Sequence, residues 1–199
     1  SSCLRSRDEW ANLPWQERAA VFLKAADLFA TKYRPIINAT TMLGQSKTCH
    51  QAEIDAACEL IDFFKFNAHY AQRIYEEQPT SSPGVWNRTE SRALEGFVFA
   101  VTPFNFTSIA INLATAPALM GCSVLWKPAG TSMLACHIAL QVLREAGLPD
   151  GVINMVYGDH QMIGEVALQS PQLSGLHFTG STGTFNYLWK SIGQNIDNY

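Results

Sequence analysis

After Pro14, apolar residues recur at Val21, Ala25, Leu28 and Phe29, with Phe22, Ala26 and Tyr33 beside them. Spacings of three and four predict an amphipathic helix, and Pro14 suits its first turn. A shorter helix is predicted after Pro35, ending near Gly44, a residue suited to the left-handed conformation that closes helices. The third segment is the most regular: Ile54, Ala57, Ile61, Phe64, Ala68, Ala71 and Tyr75 lay one apolar face along a long helix. Leu60 and Phe63 widen that stripe, which favours packing on the chain's own core over a coiled-coil seam.

The pattern changes at "QPTSSPG", Gln78 to Gly84, a loop signal. Beyond it, apolar strands are predicted at 97–102, 123–127, 152–157 and 174–178, separated by helices at roughly 107–120, 131–146, 160–169 and 184–197. "REAGLPDG", Arg144 to Gly151, reads as a helix end, a turn and a strand start. Apolar strands alternating with helices predict an α/β fold whose parallel sheet is covered on both faces. The predicted organisation is a helical part, residues 1–84, followed by a nucleotide-fold-like unit, residues 85–199.

Composition narrows the partners. A formal net charge of −3, with 16% charged residues, gives no basic footprint for nucleic acid or an anionic membrane. Small molecules and other subunits are the expected partners. No apolar run approaches the ~20 residues that span a bilayer. Five irregularly spaced cysteines predict reduced thiols inside a cell. No signal peptide is legible, and the chain opens on "SSCLRSRDEW" without an initiator methionine, so upstream sequence is expected to be missing.

In parallel sheets, ligands bind beyond the carboxyl ends of the strands. Three predicted strand ends carry unusual residues. In "TPFNFTS", Asn105 admits two readings: a side-chain amide that stabilises a developing oxyanion, or an N-terminal helix cap. On pattern alone the cap is the better one. In "VLWKPAGTS", Lys127 either points at the ribose or phosphate of a dinucleotide or is a strand-end lysine in water. In "LHFTGSTGTF", Gly180, Ser181, Thr182 and Gly183 open a helix whose backbone N–H groups suit a pyrophosphate. That turn is common in itself. Glu59, one step from the apolar stripe, is either a solvated helix glutamate or a carboxylate reaching toward a neighbouring domain. The five histidines lack metal-ligand spacing, so no metal site is predicted. Asp159 beside His160 reads as a loop or cap rather than as an acid–base pair.

Taken together, "TPFNFT", "LWKP" and "FTGST" resemble three motifs of the aldehyde dehydrogenase superfamily in their order and separation, and the match covers nearly the whole chain. "AEIDAACELIDFFKFNA", "LEGFVFAVTPFNF", "APALMG", "LREAGLP" and "FNYLWK" are most similar to its pyrroline-carboxylate branch. Phe185, where many members carry glycine, points the same way. The resemblance implies a Rossmann-like NAD-binding unit in an incomplete aldehyde dehydrogenase fold, and oxidation of glutamate semialdehyde, the open form of pyrroline-5-carboxylate, to glutamate. It implies that Asn105 stabilises the tetrahedral oxyanion, which reverses the odds against the cap. Thr102, Lys127, Gly180, Ser181, Thr182, Gly183 and Thr184 match cofactor-contacting positions. Phe106 matches the aldehyde tunnel, and Glu59 a carboxylate near the substrate. The implied chemistry is attack by a cysteine thiolate, hydride transfer to NAD, and hydrolysis of the thioester by water that a glutamate activates.

The resemblance also sets limits. The family's nucleophilic cysteine and general-base glutamate fall beyond the position matched by Tyr199, so the chain alone is expected to be inactive and to expose apolar faces. Many relatives have an acidic residue where this chain has Gly130, which leaves NADP open beside NAD. A homo-oligomer is implied for the full-length protein, with a mitochondrial matrix location in eukaryotes and a cytoplasmic one in bacteria. Two other readings stand: a different aldehyde dehydrogenase branch, and a truncated product that binds nucleotide or a full-length subunit without catalysis.

Overall fold

The computed structural model describes residues 2–199, with side chains from residue 6 onward. The first part is helical: α1 (Ser2–Asn12), α2 (Trp15–Ala30), α3 (Arg34–Gln45), α4 (Cys49–Ala52), a π-helical segment (Glu53–Glu59) and α5 (Leu60–Glu76). The second alternates: β1 (Phe97–Val101), α6 (Thr107–Leu119), β2 (Val124–Lys127), α7 (Met133–Ala146), β3 (Ile153–Met155), α8 (His160–Leu168), β4 (Leu173–Phe178) and α9 (Thr182–Gln194). Every strand and helix predicted beyond Gly84 is present, within a few residues at each end. Helix α1 was not predicted from the pattern.

Two details of the helical part differ from the pattern. Gly44 does not close α3; the left-handed residue is Ser46, with φ of 53°. Gly44 stays helical, where a Cβ would stand 2.2 Å from the carbonyl oxygen of Thr131, so glycine permits close approach to the turn after β2. Ile54 does not join the apolar stripe but is 53% exposed. The cause is the π segment, whose turns close i→i+5 and so hold one residue more than an α turn. At about 100° per residue, the extra residue shifts the helical frame. The buried face becomes Ala56, Ala57, Leu60, Ile61, Phe64, Ala68 and Ala71, and Asp55 is buried with it.

All four strands are parallel, in the order β3-β2-β1-β4. Strand β1 serves both faces by alternation. Val98 and Ala100 enter the large core with Phe22, Phe29, Phe64, Ile111, Trp126 and Leu143. Phe99 enters the smaller core under α8 and α9, with Ala167, Leu168, Leu173 and Leu188. The large core draws on both parts of the chain. Two buried side chains of the first part also reach α6: Trp10 Nε1 donates to Ala118 O at 2.7 Å, and Arg18 Nε to Leu119 O at 3.0 Å. The smaller face is less well covered, and Met162, Val166 and Trp189 are 66%, 70% and 69% exposed. None of the helices among the described residues is long and apolar enough to cross a membrane.

Candidate functional site

The strand order places a topological switch between β1 and β4, because the crossovers from β1 run toward β3 and the one from β3 returns past β1. Loops diverge at such a point and leave a crevice beyond the carboxyl ends. A cleft of about 880 Å³ lies there. Thr102, Pro103, Phe104 and Asn105 line it from the loop after β1, Lys127 from the end of β2, His160, Gln161 and Gly164 from α8, and Gly180, Ser181, Gly183 and Thr184 from the turn after β4. Thr182 stands in that turn, exposed, outside the cleft lining. Phe106 and Glu59 are also outside it.

The turn after β4 is built locally. Ser181 is the N-cap of α9: its Oγ accepts from Thr184 N at 3.2 Å and lies 3.0 Å from Thr184 Oγ1. Ser181 O accepts from Phe185 N. The amides of Thr182 and Gly183 have no partner among the described residues, and α9 ends its dipole there. Gly180 lets the Phe178 ring lie close to the turn: a Cβ there would stand 2.7 Å from the ring, which would have to shift.

Across the cleft, burial pushes the pKa of the Lys127 ammonium down, opposed by the charge of Asp159. No carboxylate among the described residues lies within ion-pair distance of it. A half-buried cation lacking a counter-ion, facing a helix N-terminus, suits an anionic or hydroxyl-rich ligand. Asp159 is the N-cap of α8, accepting from Met162 N at 2.9 Å, and that amide holds its carboxyl below the usual range. Thr102 is buried; its N–H donates to Lys127 O at 3.2 Å and its hydroxyl accepts from Trp126 Nε1 at 3.1 Å.

Asn105 does not cap α6. Phe106 occupies the N-cap position and supplies no side-chain acceptor. The cap comes from Asp55 in the π segment, whose carboxylate accepts from Thr107 N and Ser108 N, each at 2.9 Å. The pattern could not reveal this, because a cap from 52 residues upstream leaves no local signature. Asp55 is 2% exposed and paired with Lys47 Nζ at 2.6 Å. Lys47 also donates to Asn105 O at 2.6 Å and lies 4.4 Å from the Phe106 ring centroid. No hydrogen bond among the described residues engages the Asn105 side chain, so its amide is available at the cleft wall. Lys47 and Asp55 were not singled out from the sequence, although a carboxylate inside an apolar stripe was the available clue.

Glu59 turns inward to α6: its Oε2 lies 2.7 Å from Ser108 Oγ, which is also 2.7 Å from Asp55 Oδ1. The single hydroxyl hydrogen serves one carboxylate at a time. Cys122 and Cys136 are buried, and burial pushes both thiols up. Cys49 and Cys58 are exposed, and none of these four lines the cleft. The side chain of Cys3 lies outside the described residues. No cluster of metal-ligating groups occurs among the described residues.

Comparison with known proteins places this architecture. A probable delta-1-pyrroline-5-carboxylate dehydrogenase of Schizosaccharomyces pombe is 52% identical over 99% of this chain and 36% of its own length. The mitochondrial delta-1-pyrroline-5-carboxylate dehydrogenase of Homo sapiens is 52% identical over 100% of this chain and 35% of its own. A crystal structure of the Mycobacterium tuberculosis enzyme bound with NAD superposes on all of this chain with a TM-score of 0.98 at 58% identity, covering 37% of that chain. The chain thus spans about a third of the length of the relatives it matches. The family model "Aldehyde dehydrogenase family" matches residues 2–199, and the chain belongs to that family.

Proposed function

We propose that this chain is the cofactor-cleft segment of an NAD-dependent dehydrogenase that oxidises glutamate γ-semialdehyde to glutamate. The observation that carries the reading is the switch-point cleft, where Lys127, the α9 N-terminus and Asn105 converge on one cavity. The NAD-bound relative at 58% identity supports the cofactor, and the names of the relatives support the substrate. NAD, when bound, supplies a hydride acceptor. The amides of Thr182 and Gly183 and the Ser181 and Thr184 hydroxyls suit its pyrophosphate, below Gly180, and Lys127 its ribose hydroxyls. Thr102 holds the floor between β1 and β2. Gly130 places no carboxylate beside Lys127, so NADP is not rejected there.

Asn105 supplies the chemistry this chain can perform. Its neutral, uncommitted amide N–H stabilises negative charge as it develops on an aldehyde oxygen. Phe106, 40% exposed beside it, offers an apolar wall to the incoming aldehyde. Glu59 acts on the substrate side of α6 through Ser108. The thiol nucleophile belongs to the rest of the full-length protein, which assembles as a homo-oligomer. It works in the mitochondrial matrix of a eukaryote, as the names of the eukaryotic relatives support, or in the cytoplasm of a bacterium.

The test combines calorimetry with turnover. NAD titrated into the chain gives binding heat, and Lys127→Met removes it; the chain alone turns over no aldehyde. The full-length protein oxidises glutamate semialdehyde, and Asn105→Ala lowers kcat by about 10²–10³. Absence of NAD binding to both the chain and the full-length protein would sink the reading.

A further inference from the structure

Three consecutive carbonyls in the loop after β1 are each held by a side chain. Pro103 O accepts from Ser132 Oγ at 3.0 Å, Phe104 O from Thr131 Oγ1 at 3.1 Å, and Asn105 O from Lys47 Nζ at 2.6 Å. Ser132 and Thr131 belong to the turn after β2, so two of the ties lie within the sheet unit. The third reaches across from the helical part.

Lys47 is anchored at its other side by Asp55 Oδ2, also at 2.6 Å. Its ammonium lies over the Phe106 ring, 4.4 Å from the centroid. Asp55 in turn holds the amides of Thr107 and Ser108. One ion pair, buried on its Asp55 side, therefore engages four successive residues: the carbonyl of Asn105, the ring of Phe106 and the amides of Thr107 and Ser108. The side chain of Asn105 has no tie of its own among the described residues, so the ties on its backbone are what set where the amide starts from.

We propose that Lys47 is a positioning residue for the Asn105 amide. This rests on the reading of Asn105 as oxyanion donor. An oxyanion donor works because its dipole is fixed before charge develops, and a misplacement of about 1 Å costs on the order of 10²-fold in rate. Lys47 supplies the one backbone tie made on the donor residue's own carbonyl among the described residues. Its role is separable from helix capping. Asp55 still has the amides of Thr107 and Ser108 within reach when the ammonium is removed, so α6 stays capped while Asn105 O loses its donor.

The experiment uses the full-length dehydrogenase that carries this segment, with Lys47→Met, Lys47→Arg, Asn105→Ala and the double variant Lys47→Met/Asn105→Ala. Lys47→Met is expected to lower kcat by about tenfold to a hundredfold with the KM for NAD unchanged. Amide exchange over residues 105–108 quickens, and Lys47→Arg recovers most of the lost rate. In the double variant, kcat equals that of Asn105→Ala alone, because a residue acting only through Asn105 has nothing left to position. Wild-type kcat in Lys47→Met overturns the proposal. So does a further loss in the double variant as large as in the single one, which marks a general structural role. Wild-type kcat in Asn105→Ala is a different result: it removes the oxyanion reading and the proposal together. If Lys47→Met does not fold, Lys47→Gln is judged by the same criteria.

Discussion

Two helices begin at the same cleft and are capped in opposite ways. Helix α9 is capped from within, by Ser181 on the amide of Thr184 three residues later. Helix α6 is capped from outside, by a carboxylate 52 residues upstream. The local cap consumes one early amide and leaves those of Thr182 and Gly183 open to a ligand. The remote cap occupies the amides of Thr107 and Ser108 with a buried anion, so α6 offers no anion site. What α6 presents instead is the residue before its cap, Asn105, with an uncommitted side-chain amide. One N-terminus is thus suited to holding charge already present on a cofactor, and the other to meeting charge that develops during reaction.

The sharpest way to break this comparison is to remove the remote cap. Asp55→Ala leaves two helix amides and the partly buried Lys47 ammonium without their acceptor, and the expected loss is about 3 kcal/mol, read from urea midpoints of the chain. A loss near 1 kcal/mol, like that of an ordinary cap, would make the two termini energetically alike. Ser181→Ala is expected to cost about 1 kcal/mol and also to weaken NAD binding in calorimetry, because the turn it organises lines the cleft. Lys127→Met works in the other direction: removing a desolvated, unpaired cation raises Tm by about 2 °C while NAD affinity falls. Smallest of all is the effect of Asn105→Ala on unfolding, expected within about 0.5 kcal/mol because the amide caps nothing. A loss near 1 kcal/mol there would restore it as a cap.

Where a feature depends on neighbours in sequence, the pattern was readable. The strands of the second part are short apolar runs between turn residues, and their helices carry three-and-four spacing, so all eight elements were found. The Gly180–Thr184 turn and the Asp159 cap are likewise local, three-residue affairs. Two of the failures come from contacts over long distance, and one from a local turn type that leaves no signature in the sequence. Gly44 looked like a helix stop because the close approach of Thr131, 87 positions later, is invisible in the chain. Ile54 looked buried because a π turn leaves no mark on a periodicity drawn with an α ruler. Asn105 looked like a cap because local preference is the sole guide until Asp55 is seen in place. Its assignment as oxyanion donor came from the company of other motifs, and the geometry adds an available amide on a tied loop.

The π segment carries a consequence for how this chain tolerates change in length. Loss of one residue between Glu53 and Glu59 would let the helix rewind as a continuous α-helix, with no break and no lost core side chain downstream. Yet everything upstream of the deletion would turn by about 100° relative to α5. With a deletion after it, Asp55 would swing away from α6, while Glu59 kept its place. A single-codon deletion here would yield a helix that is more regular and a cleft that has lost its anchor. The extra residue thus behaves as a phase setting for the helix: it costs regularity and brings Asp55 against the start of α6.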